Sequence, residues 1–336
     1  MENGSSGFAF SSGMAALSAV TRLLEVGEEI IVPDDIYGGL YRLLTNITIK
    51  MGIHVNFVDT TKTEEVKRAL TKKTKMVIIE TPSNPLMKIS DIASICSLVH
   101  SYGSDILCVV DSSLMTPLLQ NPLDLGADVV VHSGTKFFGG HSDATVGLVA
   151  VNNELRAKKL AFVQNAEGTG LAPFECWLTL RGIKTMAIRL EKAQENAKQI
   201  VEYLSRHPHV TAIYYPGFYK PNRDSENDRS RDFQKELSVF LKQSKGGGCV
   251  ISFDTGNLLR SKSFINALKL FRITVSFGSV NSLVELPCVL SHSSIPSKSR
   301  SLPESLIRMS IGIENIHDLI SDINQAFQAD RDTSKL

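Results

Sequence analysis

The sequence lacks the marks of several protein classes. Its five cysteines are scattered and form no C-x-x-C pair, so we expect a reducing compartment and neither a disulfide framework nor a metal site. No apolar run approaches the roughly 18 residues of a membrane span. Basic (36) and acidic (35) residues nearly cancel to a net charge of +1, which supports neither a nucleic-acid nor an acidic-membrane partner. The first twenty residues carry no targeting pattern, so we expect the chain as written in the cytoplasm.

The chain does have an ordinary globular composition and a regular alternation. Its 336 residues are 43% hydrophobic and 21% charged, which suits about two domains. Short segments rich in Val and Ile alternate with helical patterns, and most are continuous apolar runs, typical of strands covered on both faces. The predicted strands are 29–33, 53–58, 75–80, 106–111, 128–132 and 146–151. The alternation predicts an α/β fold with a mostly parallel sheet.

Helical periodicity and a later change of pattern predict the remaining organisation. Helices are expected at 13–25 and 90–101, and a long helix at 182–207. Further strands are expected at 249–253, 272–277 and 306–311, and the polar stretch 219–235 is expected to be solvated. We therefore predict a large domain over 1–190, a small α/β domain over 191–330 and a frayed tail at 331–336.

Polar residues follow three successive predicted strands. They are E-T-P-S-N-P from Glu80, D-S-S from Asp111, and H-S-G-T-K ending at Lys136. Ligands of such sheets bind beyond the carboxyl ends of the strands. A carboxylate, hydroxyls and an amine would thus meet at one edge, although ordinary polar turns also account for each segment taken singly.

Lys136 is a candidate for a lysine that binds a pyridine-aldehyde cofactor covalently. That chemistry requires an anion site for the cofactor phosphate, an acid for the ring nitrogen, a flat group over the ring, and a cation for the substrate carboxylate. Gly13 and Met14, behind Ser12 at a helix start, offer N–H donors for phosphate, and Ser133 and Thr135 offer hydroxyls. A simple helix start remains the alternative.

The other three requirements also have candidates. Asp111 ends an apolar strand and could hold the ring-nitrogen proton, or could form an Asx-turn. Tyr37 could stack on the ring, or be an ordinary half-buried tyrosine. Arg308 is a lone charge within an apolar strand, so it needs an anionic partner, either a ligand carboxylate or an internal salt bridge.

Together these motifs resemble the Cys/Met-metabolism family of pyridoxal-phosphate (PLP) enzymes, which includes the cystathionine lyases, cystathionine γ-synthase and methionine γ-lyase. The matching strings are S-S-G-M-A-A-L (11–17), D-D-I-Y-G-G (34–39), E-T-P-S-N-P (80–85), V-V-D-S-S (109–113), H-S-G-T-K-F-F-G-G-H-S-D (132–143), L-R-G-I-K-T-M (180–186) and L-I-R-M-S-I-G-I-E (306–314). Within the family, 164–192, 275–280 and 287–296 resemble plant-type cystathionine β-lyases. The resemblance implies the aspartate-aminotransferase fold (fold type I) of PLP-dependent transferases.

The resemblance also implies roles for individual residues. Lys136 would attach PLP and move the substrate Cα proton, and is expected to be catalytic together with the ring-stacking Tyr37. The other cofactor contacts would be to phosphate, ring nitrogen and phenolic oxygen, made by Gly13, Met14, Ser133, Thr135, Asp111 and Asn84. The substrate contacts would be to its α-carboxylate and its distal end, made by Arg308, Ser276 and Arg42.

The implied reaction splits L-cystathionine into homocysteine, pyruvate and ammonia, a step of methionine biosynthesis by transsulfuration. Val275 stands where γ-acting relatives carry a glutamate, which favours β-cleavage. A cystathionine γ-lyase or γ-synthase-like enzyme and a truncated non-catalytic paralogue are the alternatives. A homodimer or homotetramer is expected, because the family shares its active site between subunits.

The start of the chain is a departure from the family. Relatives carry a Y-S-R-x-x-N-P-T segment that reaches a neighbouring subunit's phosphate site, and this sequence begins at Met1 without it. Losing two charge-assisted hydrogen bonds would cost roughly 3–6 kcal/mol, or about 10² to 10⁴ in cofactor affinity. If a transit peptide precedes this sequence, the plastid is the expected compartment.

Overall fold

The computed structural model describes residues 1–221, 232–291 and 302–329. Most of the polar stretch 219–235, the end of the string 287–296 and the predicted tail 331–336 lie outside the described residues. The described chain forms two β-sheets with helices packed on them, one of seven strands and one of six. Within it, no helix is both long and apolar enough to cross a membrane.

The seven-stranded sheet is built from the amino-terminal half of the chain. Its strands are β1 (Ser6–Phe10), β2 (Glu29–Pro33), β3 (His54–Val58), β4 (Thr74–Glu80), β5 (Leu107–Asp111), β6 (Val129–Ser133) and β7 (Gly147–Val151). Their order is β1-β7-β6-β5-β4-β2-β3, parallel from β3 to β6 and antiparallel at β7 and β1. The predicted mostly parallel sheet is confirmed, and the apolar strands are buried on both faces because helices cover them.

Helices and 3₁₀ turns surround this sheet. They are α1 (Gly13–Thr21), α2 (Gly38–Asn46), α3 (Thr63–Ala69), α4 (Ile92–Tyr102), α5 (Thr116–Leu119), α6 (Glu154–Glu167) and α7 (Pro173–Ile183), with 3₁₀ turns at Thr48–Met51 and Pro122–Leu125. The expected helix 13–25 ends early, at Thr21. After that residue the N–H groups of Leu23 and Leu24 bond three residues back, and Gly27 takes φ +89°.

The six-stranded sheet lies in the carboxyl-terminal half. Its strands are β8 (Ala212–Tyr215), β9 (Phe218–Lys220), β10 (Val250–Asp254), β11 (Arg272–Ile273), β12 (Leu283–Glu285) and β13 (Leu306–Ser310), in the order β11-β12-β13-β10-β8-β9. Its helices are α8 (Met186–Ser205), α9 (Phe233–Gln243), α10 (Leu258–Ala267) and α11 (Ile316–Gln328). The rings of Phe253, Phe264 and Phe327 pack together in its core, with centroids 4.3–6.4 Å apart.

Two expectations about this half were wrong in extent. The predicted long helix 182–207 is α8 but is shorter at both ends, because Gly182 and Ile183 finish α7 and the buried Arg189 of α8 donates to Gly182 O at 2.8 Å. The strand 272–277 is only two residues long, because the chain bends at Ser276, where φ is +72°. The proposed boundary between residues 190 and 191 falls inside α8 and stays a prediction.

Candidate active site

One cavity of about 430 Å³ lies at the carboxyl edge of the large sheet, against the small sheet. All eleven residues singled out from the sequence line it: Gly13, Met14, Tyr37, Arg42, Asn84, Asp111, Ser133, Thr135, Lys136, Ser276 and Arg308. A wider groove of about 820 Å³ adjoins it and shares Thr135, Thr145, Val275 and Ser276. The loops after β4, β5 and β6 therefore do meet at one site, as parallel strand ends should.

Lys136 sits on a tight turn after β6. Its N–H donates to Ser133 O at 3.1 Å, and its carbonyl accepts from Gly140 N at 2.7 Å. Gly278, at φ +111°, packs so closely that an added Cβ would lie 2.8 Å from Lys136 Cβ. The amine Nζ donates to Ser276 Oγ at 3.0 Å. Packing thus fixes the backbone of the lysine, and one hydroxyl holds its amine.

The amine is electrostatically prepared to lose a proton. Burial, helped by the positive charge of Arg308, lowers the pKa of Lys136 to about 8, while Glu285 and Asp111 oppose the shift. A lysine with this pKa has a usable neutral fraction near physiological pH, and a neutral amine can act as a base.

Asp111 ends β5 inside the cavity. Its Oδ1 accepts from Ser113 N at 3.0 Å, so the Asx-turn alternative is present. The carboxyl lines the cavity at the same time. Burial raises the pKa of Asp111, and the Ser113 hydrogen bonds, His132 and Lys136 oppose the rise. A cation in the cavity would stabilise the carboxylate further.

The amino end of α1 forms a concave donor site. Ser12 caps the helix by accepting from Ala15 N at 3.0 Å. The N–H groups of Gly13 and Met14 receive no acceptor from the part of the chain that the structure describes. A Cβ on Gly13 would lie 3.2 Å from Ser133 Oγ, so glycine keeps this corner open. Such a helix end suits a phosphate.

The hydroxyl of Thr135, which was expected to contact the cofactor phosphate, is bonded to the main chain. Its hydroxyl donates to Val146 O at 3.3 Å and accepts from Val146 N at 2.8 Å, so the main chain already occupies it. Ser133 packs against Gly13 instead. The phosphate contact of Thr135 stays a prediction.

Arg308 lies in the middle of β13 and is 5% exposed. Its guanidinium donates to the Glu285 carboxylate and to the Asn84 side-chain oxygen, and its centre lies 4.4 Å from the centroid of the Phe277 ring. The internal salt bridge weighed from the sequence is therefore present, although Arg308 also lines the cavity. Asn84 is engaged by this arginine, and its contact with a cofactor oxygen stays a prediction.

Two carboxyl groups of the site were missed as functional residues. Glu80 is 6% exposed, accepts from Tyr37 N at 2.9 Å, and has its pKa raised well above the usual range by burial and by Asp111. Glu285 is fully buried opposite Arg308. The signal for Glu285 was a single acid within the apolar string S-L-V-E-L-P, the complement of the lone arginine.

These groups fit PLP. The cavity offers an amine for the aldehyde, a carboxylate for the ring nitrogen, and a glycine-opened helix end for the phosphate, which are Lys136, Asp111 and the start of α1. Tyr37, 37% exposed, supplies the flat side chain. The roles of the individual residues stay predictions.

Comparisons with known proteins agree with this chemistry. Residues 1–328 match the family described as Cys/Met metabolism PLP-dependent enzyme. A chloroplastic cystathionine beta-lyase of Arabidopsis thaliana is 50% identical over 96% of this chain and 67% of that protein. A cystathionine gamma-lyase of Dictyostelium discoideum is 43% identical over 97% of this chain and 81% of its own length. The crystal structure of cystathionine gamma-lyase from Lactobacillus plantarum complexed with L-serine superposes with a TM-score of 0.91 at 38% identity, covering 98% and 83%.

Proposed function

The chain belongs to the Cys/Met-metabolism family of PLP-dependent enzymes, and we propose that it is a lyase that cleaves the Cβ–S bond of L-cystathionine. The products would be homocysteine, pyruvate and ammonia. When bound, PLP supplies an electron sink that stabilises negative charge at the substrate Cα. The observation that carries the proposal is that the amine of Lys136 lines one cavity with Asp111 and Arg308 and has its pKa lowered to about 8.

Each side chain has a defined task in this proposal. Lys136, held by Ser276, accepts the Cα proton and later returns a proton. Asp111 keeps the ring nitrogen protonated, and the start of α1 holds the phosphate. Arg308 binds the substrate α-carboxylate. Turnover then depends on groups preorganised in one partly closed cavity.

The choice of β- over γ-cleavage is supported by Val275. This residue lines both the cavity and the adjoining groove, and it presents no charge to the distal part of a substrate. The γ-acting relatives carry a glutamate there, according to the resemblance above. The higher identity to the Arabidopsis beta-lyase, 50% against 43%, points the same way. A γ-lyase is the second candidate, because the gamma-lyase structure superposes closely.

Product analysis of the purified chain with PLP and L-cystathionine tests the proposal. Pyruvate with homocysteine is the expected result, whereas 2-oxobutyrate with cysteine would identify a γ-lyase. Mass spectrometry after borohydride treatment should place the cofactor on Lys136. If neither product nor adduct forms, the chain is a non-catalytic paralogue.

We propose a homodimer or homotetramer on the evidence of exposed apolar side chains along α6 and α7. Phe162, Phe174, Trp177 and Leu180 are between 59% and 72% exposed, and the rings of Phe174 and Trp177 lie 6.0 Å apart. A second copy of the chain would cover them. Light scattering should give a multimer, and a Trp177→Lys/Leu180→Lys variant should shift towards a monomer.

The name of the Arabidopsis relative places that protein in the chloroplast. We propose the plastid as the compartment of this protein where a transit peptide precedes the sequence, and the cytoplasm for the chain as written. Imaging of the protein expressed from its own gene tests the assignment.

A further inference from the structure

Glu285 and Arg308 form a buried charged pair behind the cavity wall. Their residues face each other in the antiparallel register of β12 and β13. Glu285 is 0% exposed and does not line the cavity, whereas Arg308 does. The carboxylate therefore lies outside the cavity lining, where strand pairing rather than loop position holds it.

The pair with Glu285 does not occupy all hydrogen-bond donors of the Arg308 guanidinium. Glu285 contacts it through Oε1, which also accepts from Ser291 Oγ at 2.7 Å. Within the described residues, Glu285 Oε2 and Arg308 Nε have no hydrogen-bond partner. The contact is thus a single one and not the two-pronged pairing that saturates an arginine. Nε is buried and Nη2 also reaches Ser291 Oγ at 3.5 Å, so the donor capacity that remains for a second anion lies on Nη1, which donates to Asn84 through one of its two protons.

The more important consequence of the pair is that it balances the charge of the buried guanidinium. A buried guanidinium without a counter-ion would be costly to fold and would attract any anion strongly. A permanent carboxylate behind it cancels most of the local field while holding the group in place. A carboxylate arriving from the cavity then meets a positioned donor whose net charge is already balanced.

We propose that Glu285 is a positioning residue that orients the Arg308 guanidinium and reduces its electrostatic attraction for anions. Substrate carboxylates then bind in a defined orientation but dissociate readily. The inference rests on the proposed role of Arg308 as the carboxylate site. It names a cross-strand residue, outside the cavity, as a determinant of substrate affinity. Loss of the Glu285 charge should tighten carboxylate binding and slow release of carboxylate products.

The test uses the PLP-loaded protein and 3-(methylthio)propionate, which has a carboxylate and a thioether but no amine to react with Lys136. Dissociation constants are obtained from ligand-dependent melting temperatures. Glu285→Gln, which keeps the shape and removes the charge, should bind this probe about tenfold more tightly, because a fixed opposing charge has gone. Glu285→Asp keeps the charge and should bind within about twofold of wild type.

Matched arms separate the possible failures. The neutral amide of the probe should bind all three proteins alike. If Glu285→Gln binds the acid no more tightly than wild type does, Glu285 does not weaken carboxylate binding through its charge. If Glu285→Gln and Glu285→Asp bind the acid equally, Glu285 has only a structural role. Arg308→Met examines the premise: if it binds the acid as well as wild type does, the assignment of Arg308 fails, whatever Glu285 does.

Folding is monitored in the same measurement. Without ligand, Glu285→Gln should melt at a lower temperature than wild type. Adding the acid should raise the melting temperature of Glu285→Gln by more than it raises that of wild type. If Glu285→Gln does not fold, Glu285→Asp still decides the matter. If the affinity of Glu285→Asp for the acid differs from that of wild type by tenfold or more in either direction, this result would contradict a role based on charge.

Discussion

The two sheets supply the site in opposite ways. The parallel sheet contributes Asp111, Ser133 and Lys136 from the ends of strands and the turns that follow. The six-stranded, mostly antiparallel sheet contributes Arg308 from the middle of a strand, where it is buried and already paired with Glu285. Strand ends can present a single charged group to a ligand, whereas a strand interior must provide a counter-ion as well.

The largest effect should follow from changing the strand-end lysine. Lys136→Ala removes the group that we propose moves the proton, so we expect the proposed formation of pyruvate from cystathionine to fall by about 10³-fold or more. Circular dichroism should stay close to wild type, and the cofactor-free variant should melt no lower than wild type, since the charged amine carries a burial penalty. Activity that survives this change would move the chemistry away from the parallel-sheet edge.

A matched pair of carboxyl groups on that edge should give the next largest effect. Asp111→Asn should lower kcat by about 10²-fold, because it would lose the charge-assisted hydrogen bond that we propose to the cofactor ring. Glu80→Gln should lower it by less than about tenfold, since the raised pKa of Glu80 already favours the neutral acid that glutamine resembles. Equal losses from the two variants would show that Asp111 has no special role.

On the antiparallel side, Arg308→Lys should mainly affect binding. Lysine keeps the charge and loses the forked geometry, so KM for cystathionine should rise about tenfold with a smaller change in kcat. Steady-state kinetics separate the two quantities. A fall in kcat at constant KM would place Arg308 in the chemical step instead.

The strand-end lysine should also make the free energy of unfolding depend on pH. The folded cofactor-free protein holds Lys136 at a pKa of about 8 against 10.5 for an ordinary lysine. Between those values the unfolded chain binds more protons, so the free energy of unfolding should rise with pH relative to Lys136→Met. Below about pH 8 the penalty for the buried charge is fully present. Urea titrations from pH 7 to 11 measure the difference, and parallel curves for the two proteins would contradict the lowered pKa.

Helix caps provide the smallest and most sensitive comparison. Ser12→Ala at α1 and Asn257→Ala at α10 each remove a side chain that accepts from a helix N–H, at 3.0 Å in both cases. Each should cost about 1 kcal/mol in the free energy of unfolding. Only Ser12→Ala should also weaken PLP binding, measured by fluorescence titration. An equal effect of Asn257→Ala on PLP would make the cofactor response a general stability effect.

The parallel sheet was the more predictable region. Its central strands agree within one or two residues, because continuous apolar runs between helical patterns leave few alternatives. β1, β8, β9 and β12 were not foreseen, since each is short, and β1 and β12 pair with strands that are distant in the chain, β7 and β13. For the same reason Arg308 could be recognised as needing an anion, but Glu285 could not be identified as its partner. Only the strand register places them face to face.

The irregular segment after β11 connects these two regions at the reactive group itself. Val280 donates to Gly140 O at 2.9 Å on the lysine turn and accepts from Ile313 N at 3.0 Å beyond β13. Ser276 in the same segment holds the Lys136 amine. A tilt of one sheet against the other would thus reach the amine through a few rigid links. The segment therefore couples the position of the Lys136 amine to the packing of both sheets.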